Sequence, residues 1–150
     1  MKVCLGGTFN VLHKGHKALI DKAIQAAGKK GKVFIGVAKG KLVQKKKFCI
    51  PFKIRVKKLR DYLEEKGDHK RVAIFPLVDK FGPAVYGEYD AIMASPESFQ
   101  NAFDINRERK RLGKKQLKII KIEFILAEDG KPISATRILN QEIDENGKSI

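Results

Sequence analysis

The chain has 150 residues, 43% of them hydrophobic, and carries 32 Lys plus Arg against 17 Asp plus Glu, a formal net charge of +15. That length is typical of one globular domain with its own core, and no apolar stretch approaches the roughly 20 residues of a membrane span. Cys4 and Cys49 are far apart and form no CxxC pair, which excludes a disulfide-rich scaffold and favours a reducing, cytoplasmic compartment. We expect no secretory signal, because the first residues already read as a strand.

The basic charge has three possible explanations. It could bind nucleic acid, steer small anionic substrates such as nucleotides, or be the solvated surface of a lysine-rich protein. The lysines occur in short scattered runs, and aromatic residues do not alternate with them as they do in a base-stacking surface. The pattern therefore does not favour nucleic acid as a partner, although a basic nucleic-acid-binding protein stays as the alternative of a different class.

Strands and helices alternate along the predicted chain. Short, continuously apolar runs predict buried strands, and apolar residues at helical spacing predict the helices between them. The predicted elements are a strand at Lys2–Leu5, a helix at Ala18–Ala27, a strand at Val33–Ala38, a helix from Pro51 to Gly67, strands at Val72–Phe75 and Ala91–Ala94, a helix from Ser95 to Gly113, a strand at Ile119–Leu126 and a helix from Ser134 to Ile143. The polar tail, 144–150, is expected to fray.

This alternation predicts an α/β fold: a Rossmann-like, doubly wound, parallel five-stranded sheet with helices on both faces, in a single domain spanning residues 1–150. In such a sheet, ligands bind beyond the carboxyl ends of the strands. The polar segments that follow predicted strands are Gly6–His16, Lys39–Lys47, Ser95–Ser98 and Pro132–Arg137. We expect these segments to meet at one edge of the sheet and to form the functional site there.

The first of these segments reads GGTFNVLHKGH and has the residue types of an anion site. Its glycines let a ligand approach the backbone, and Thr8 and Asn10 add short hydrogen-bonding side chains. His13 and His16 are three residues apart at a helix amino terminus, whose dipole favours anions. A zinc site is not indicated because no third ligand lies at suitable spacing. The competing interpretation is that each of these two histidines only caps the helix or packs against its own turn.

GGTFNVLHKGH resembles the GTFDxxHxGH signature of the adenylyl- and cytidylyl-transferase superfamily, and PISATRI at Pro132–Ile138 resembles its second signature, ISSTxIR. The intervening segments LVQKKK, DKFGP, SPES and INRERKRLG are similar to those of the archaeal and eukaryotic type of phosphopantetheine adenylyltransferase. The likeness runs from Val3 to about Leu139. The two end motifs indicate the superfamily, and the middle segments indicate the phosphopantetheine adenylyltransferase branch within it.

The resemblance implies an enzyme of coenzyme A biosynthesis that transfers AMP from ATP, carried with Mg²⁺, to 4′-phosphopantetheine, giving dephospho-CoA and pyrophosphate. It implies that His16 contacts the α-phosphate as a catalytic residue, that Thr8 and Asn10 bind the acceptor phosphate, and that one lysine of 45–47, with Lys46 favoured, reaches the same phosphates. The ATP-binding residues that it implies are Gly7, Thr8, Phe9, His13, His16, Ser134, Thr136 and Arg137. It implies no protein-bound metal and leaves the oligomeric state open.

Two positions depart from the signatures. Asn10 stands where an aspartate is usual, which removes a negative charge beside the phosphates, and Ala135 stands where the second motif has a hydroxyl. Backbone amides at a helix amino terminus still bind anions, so neither change indicates an inactive protein. The sibling alternatives are FMN adenylyltransferase, whose opening motif is similar, and a cytidylyltransferase.

Overall fold

The computed structural model describes residues 1–46 and 48–150. The elements are β1 Lys2–Gly7, α1 Lys14–Ala27, β2 Lys32–Ala38, α2 Phe52–Lys66, β3 Val72–Leu77, β4 Ala91–Ala94, α3 Phe99–Arg111, β5 Lys118–Lys121 and α4 Ala135–Leu139. Five strands form one sheet in the order β3-β2-β1-β4-β5, and every neighbouring pair is parallel. The predicted Rossmann-like sheet is confirmed.

The central strand β1 is covered on both faces, and its alternating side chains show where each layer lies. Val3 and Leu5 face a core shared with the buried sides of α1 and α2, whereas Cys4 faces a second core shared with α3. The buried residues of α1 and α2 recur three or four positions apart, as a helix against a sheet requires. Helices therefore cover both faces of the central strand, as predicted.

The chain reverses its winding direction at β1, which pairs with β2 on one side and with β4 on the other. The connections leaving the carboxyl ends of β1 and β4 diverge at this point, and a crevice opens between them. β1 ends at Gly7 and β4 at Ala94, so the GGTFN segment and the Ser95–Ser98 segment border this crevice. The fold thus brings together two segments that are far apart in sequence.

Several predicted boundaries were wrong near the site. α1 begins at Lys14 rather than Ala18, because His13 caps it. α3 begins at Phe99 rather than Ser95, because the Ser95 N–H donates to Ser98 Oγ in a turn that precedes the helix. β1 and β3 each continue two residues further than predicted, to Gly7 and Leu77.

The carboxyl-terminal part differs most from the prediction. β5 ends at Lys121 and not at Leu126, which instead bridges antiparallel to Pro132. α4 ends at Leu139 rather than Ile143, because Gln141 has a left-handed backbone (φ 61°) that a helix cannot continue through. The tail expected to fray forms a turn closed by an Ile143–Ser149 bridge, and Ile143 is fully buried.

None of the helices in the described part of the chain has the length and apolarity that a bilayer crossing requires.

Candidate active site

A cavity of about 1020 Å³ opens at the carboxyl edge of the sheet. It is bordered by the glycine turn (residues 6–10), the first turn of α1, the segment after β4, the segment after β5 and the start of α4. The sequence-predicted site residues that line it are Gly7, Thr8, Phe9, Asn10, His13, His16, Lys46, Ser134 and Thr136. All four polar segments expected at this edge contribute to the cavity.

The two histidines are locked together at the start of α1. The Nδ1 atom of His13, the residue that caps the helix, accepts the backbone N–H groups of Gly15 at 3.0 Å and His16 at 3.3 Å. His16 Nδ1 in turn accepts the backbone N–H of His13 at 3.4 Å. This is a capping box built from histidines instead of the usual hydroxyl and carboxylate. The rings are stacked with centroids 3.8 Å apart.

These hydrogen bonds decide which ring nitrogens carry protons. In a neutral imidazole one nitrogen donates and the other accepts, so Nδ1 as an acceptor leaves the N–H at Nε2 in both rings. Burial lowers the pKa of His13 to about 4, and burial with the neighbouring His13 lowers the pKa of His16 to about 3. Both are therefore neutral at pH 7. The cavity is lined by two neutral imidazoles, and a ring N–H of this kind can donate to an anionic oxygen.

Phe9 supports this arrangement from behind. Its side chain is 3% exposed, and its ring lies 5.0 Å from that of His16. Its backbone is left-handed (φ 52°), which is rare for a residue with a side chain and occurs where the surrounding structure enforces it. A Cβ at Gly7 would lie 3.0 Å from the Phe9 ring, so a side chain there would push the ring by a few tenths of an ångström. The structure brings Phe9 to the cavity as a packing residue for His16.

Lys46 lies where two cavities meet. A second cavity of about 330 Å³ adjoins the first. The residues that line both are Gly6, Gly7, Thr8, Lys46 and Ser98. Lys45 is exposed and lines neither cavity, and Lys47 lies outside the described residues. Of Lys45 and Lys46, only Lys46 therefore borders the cavities, and its role at the phosphates stays a prediction.

The start of α4 borders the cavity through three consecutive residues. Ser134 caps the helix, and its Oγ accepts the backbone N–H of Arg137 at 3.2 Å. Ala135 and Thr136 follow it along the cavity wall. Arg137, expected to bind ATP, does not line the cavity: its guanidinium pairs with Asp129 and Glu142. Those two carboxylates lie before and after α4 and hold the guanidinium between them, so a role of Arg137 in binding ATP stays a prediction.

Asn10 and Arg55 are buried beside the cavity and bond to backbone groups. Asn10 was expected to bind the acceptor phosphate, but both ends of its amide are occupied by Phe48 and Ile50. Arg55 was missed by sequence reasoning. A signal existed: it lies three residues after Phe52 on the apolar face of α2, where a solvated arginine is out of place.

No group of three His, Cys, Asp or Glu side chains among residues 1–46 and 48–150 is arranged to hold a metal ion. The carboxylates that line the large cavity are those of Glu97 and Glu123. A site dedicated to a metal ion is built from several such ligands. Among the described residues, the large cavity therefore offers two carboxylates and no such set.

The lowered histidine pKa values predict a loss of stability in mild acid. In the unfolded chain both rings titrate near pH 6.5, so below that pH the unfolded chain binds more protons than the folded one. The contribution of the two neutral histidines to the free energy of unfolding is fully present above pH 6.5. It is lost as the pH falls toward the folded pKa values of about 4 and about 3. Each histidine then costs up to ~1.4 kcal/mol per pH unit.

Urea midpoints measured at pH 7, 6 and 5 test this. His16→Gln should make the urea midpoint less dependent on pH, because one of the two buried histidines no longer takes up a proton on unfolding. His69→Gln, at an exposed position, is the control for the loss of a histidine. An unchanged slope in His16→Gln would contradict the neutral, buried state of His16.

Comparison with known proteins agrees with this architecture. The cytidylyltransferase-like family matches residues 4–141. Proteins named phosphopantetheine adenylyltransferase are similar in sequence: that of Methanosarcina mazei is 42% identical over 98% of this chain and 96% of its own length, and that of Archaeoglobus fulgidus is 38% identical over 98% of each.

Among solved structures, a protein of unknown function from Archaeoglobus fulgidus superposes with a TM-score of 0.74 at 34% identity, covering 81% of this chain and 89% of that one. The tyrosyl-tRNA synthetase of the same organism superposes with a TM-score of 0.66 at 10% identity, covering 91% of this chain and 59% of the other, which shows a shared fold alone. The family match spans most of the chain and includes both ends of the cavity, from the glycine turn to α4. The chain belongs to the cytidylyltransferase-like family of nucleotidyltransferases, beside the archaeal phosphopantetheine adenylyltransferases.

Proposed function

We propose that this protein transfers the adenylyl group of ATP to the phosphate of 4′-phosphopantetheine, producing dephospho-CoA and pyrophosphate. The observation that carries the proposal is the junction of a large cavity with a smaller one at Thr8 and Lys46; the larger cavity is also lined by His16 and the start of α4. Two phosphorylated substrates can meet there, one from each cavity. Relatives that are about as long as this chain and carry that enzyme's name support the choice of reaction.

The reaction itself needs positioning more than covalent chemistry. An oxygen of the acceptor phosphate attacks the α-phosphorus of ATP, the bond to the bridging oxygen breaks, and pyrophosphate leaves with that electron pair. Negative charge shifts toward the oxygens of the α-phosphate and the leaving group, so donors that are already in place lower the barrier. Because the site holds both substrates next to each other, the reaction no longer depends on a chance encounter in the correct orientation, which lowers the barrier.

The site residues divide this work. The Nε2–H of His16 donates to the α-phosphate, and that of His13 to the phosphates beyond it. Since both rings are neutral, they act as hydrogen-bond donors and carry no charge of their own. Lys46 supplies positive charge at the junction of the cavities, and Thr8 orients the acceptor phosphate there. The glycine turn lets the phosphates approach the backbone.

The opposite end of the large cavity receives the leaving group. Ser134 and Thr136 lie at the amino end of α4, where hydroxyls and backbone N–H groups bind the β- and γ-phosphates. ATP enters as its Mg²⁺ complex. Because magnesium is bound mainly by nucleotide phosphates in such enzymes, it belongs to the substrate, and no step here depends on a metal held by the protein.

The smaller cavity receives the pantetheine arm. It is lined mainly by apolar side chains from β1, β3, β4 and α3. Asn101 also lines it, and its Nδ2 donates to the carbonyl of Lys80 at 3.0 Å, which fixes the orientation of the amide. Its Oδ1 is the one buried side-chain oxygen in residues 1–46 and 48–150 that has no hydrogen-bond partner. That oxygen can accept an amide N–H of the arm.

A panel assay tests the reaction. We expect pyrophosphate release with ATP and 4′-phosphopantetheine, and none with ATP and FMN or with CTP and glycerol 3-phosphate. Pyrophosphate release only with ATP and FMN would contradict phosphopantetheine as the acceptor and would favour an FMN adenylyltransferase. Mg-ATP at 100 times its Kd should also stabilise the folded protein by ~2.7 kcal/mol, seen as a raised Tm. An unmoved Tm together with salt-sensitive binding of RNA would favour the nucleic-acid-binding alternative.

A further inference from the structure

Two buried side chains fasten the backbone that follows the lysine loop (Lys39–Lys46) to the glycine turn. Asn10 Nδ2 donates to the carbonyl of Phe48 at 2.8 Å, and Asn10 Oδ1 accepts the N–H of Ile50 at 2.7 Å. A backbone N–H can only donate and a backbone carbonyl can only accept, so the orientation of this amide is fixed. Asn10 is 8% exposed, and an amide with both ends paired is well suited to such a position.

Arg55 continues the same connection. Its Nε donates to the carbonyl of Ile50 at 2.6 Å, and its Nη1 donates to the carbonyls of Thr8 at 2.8 Å and Ala38 at 2.7 Å. One guanidinium therefore joins the glycine turn, the end of β2 and the segment after the lysine loop. It is 3% exposed and, among the residues that the structure describes, has no carboxylate at salt-bridge distance.

We propose that Asn10 and Arg55 are positioning residues that hold Phe48–Ile50 against the glycine turn and thereby fix Lys46 at the junction of the two cavities. The inference rests on the proposed function, in which Lys46 is the cation that meets both phosphates. It also gives the departure from the family signature a physical reason. An aspartate at position 10 could accept the Ile50 N–H but could not donate to the Phe48 carbonyl.

The chain contains a matched pair of side chains that do not contact the lysine loop or the glycine turn. Asn106 is also 8% exposed, and it donates to the Leu117 carbonyl at 2.8 Å and accepts the Leu117 N–H at 2.7 Å. Arg109 is 5% exposed and donates to backbone carbonyls on both sides of α3, including those of Ala84 at 2.9 Å and Lys115 at 2.7 Å. Neither lines a cavity. Substitutions at these positions should lower the stability of the fold without displacing Lys46.

Kinetics of four variants give the first test. Asn10→Asp removes the amide N–H group that donates to the Phe48 carbonyl. Arg55→Lys replaces the guanidinium, which donates through two nitrogens, by an ammonium group with one nitrogen. We expect each to lower kcat/KM by ~10-fold or more, because small displacements of a positioning group are costly. Asn106→Asp and Arg109→Lys should match them in lost stability and keep wild-type kcat and the wild-type KM for ATP. In a Lys46→Ala background, the effects of the first two changes should largely disappear.

Cys49 gives a second test that needs no substrate. It lies half-buried between Phe48 and Ile50, whereas Cys4 is buried in the core, where burial raises the pKa of its thiol to about 12. If the connection holds this segment, Asn10→Asp and Arg55→Lys should raise the alkylation rate of Cys49 by about tenfold through local opening. Peptide mass mapping distinguishes the two cysteines. The Asn106 and Arg109 variants should leave the Cys49 rate unchanged.

The outcomes separate the two ideas. Equal Cys49 rates in all four variants would overturn the connection, and raised Cys49 rates with control-like kinetics would overturn its role in placing Lys46. A wild-type protein that releases no pyrophosphate contradicts the proposed reaction, but a selective rise in Cys49 alkylation would still support the connection. If Arg55→Lys fails to fold, Asn10→Asp carries both tests.

Discussion

Replacing His16 by glutamine should lower kcat by ~10²–10³-fold, the usual loss when one preorganised donor to a developing negative charge is removed. Glutamine at the third position of a helix restores the capping bond to the His13 N–H. Its amide oxygen can accept that bond, but its amide nitrogen is no longer part of a rigid ring, so the donor is no longer preorganised. The fold and the helix start are kept, and the proposed rigid donor to the α-phosphate is lost.

The split between binding and rate identifies the step at which His16 acts. If its contact strengthens as charge builds in the transition state, kcat falls while the Kd for Mg-ATP changes little. His16→Ala is the companion variant: it removes the donor and also the acceptor of the His13 N–H in the capping box, so it should be as slow as His16→Gln and less stable by ~1 kcal/mol. A glutamine variant with near-normal kcat would show that His16 only caps α1 and that the essential donor lies elsewhere, with Lys46 as the first residue to test.

The location of the site could be predicted from sequence because it depends on local patterns. Apolar runs defined the strands, their alternation with helices required parallel pairing, and parallel strands present their carboxyl ends at one edge. The segments Gly6–His16 and Pro132–Arg137 therefore had to converge, and they do. The start of α1 was misplaced for an equally local reason: histidine is not among the usual helix caps, yet His13 serves as one.

What the sequence could not predict depends on contacts between distant residues. Arg55 bonds to Thr8, 47 positions away, and nothing within α2 indicates that partner. Arg137 lies inside a phosphate-binding signature, but its charge is satisfied by Asp129 and Glu142, which flank the motif. Asn10 was expected to bind phosphate because it lies inside the first signature; the backbone that it holds comes from residues 48–50.

Gly31→Ala should be the most damaging small substitution outside the site. The turn between α1 and β2 was predicted from its glycines, but the tight packing around Gly31 comes from the amino terminus. The N–H of Lys32 donates to the carbonyl of Met1, and the terminal amine of Met1 donates to the carbonyl of Ala27. A Cβ at Gly31 would lie 1.9 Å from the Ala27 oxygen and 2.5 Å from the Met1 oxygen.

Both oxygens belong to backbone that is held by these bonds, so neither can move aside cheaply. We expect Gly31→Ala to cost ~3 kcal/mol or more, at the upper end of overpacking effects, and to lower Tm by about 10 °C in a chain of this size. Gly67→Ala is the control: its backbone is left-handed (φ 79°) but nothing lies within 4 Å of the new Cβ, so it should cost only the ~1–2 kcal/mol of that conformation. Thermal unfolding of the two variants measures the difference, and equal losses would contradict the packing around Gly31. Below its Tm, Gly31→Ala should keep wild-type kcat, because neither Gly31 nor the backbone it would displace lines a cavity.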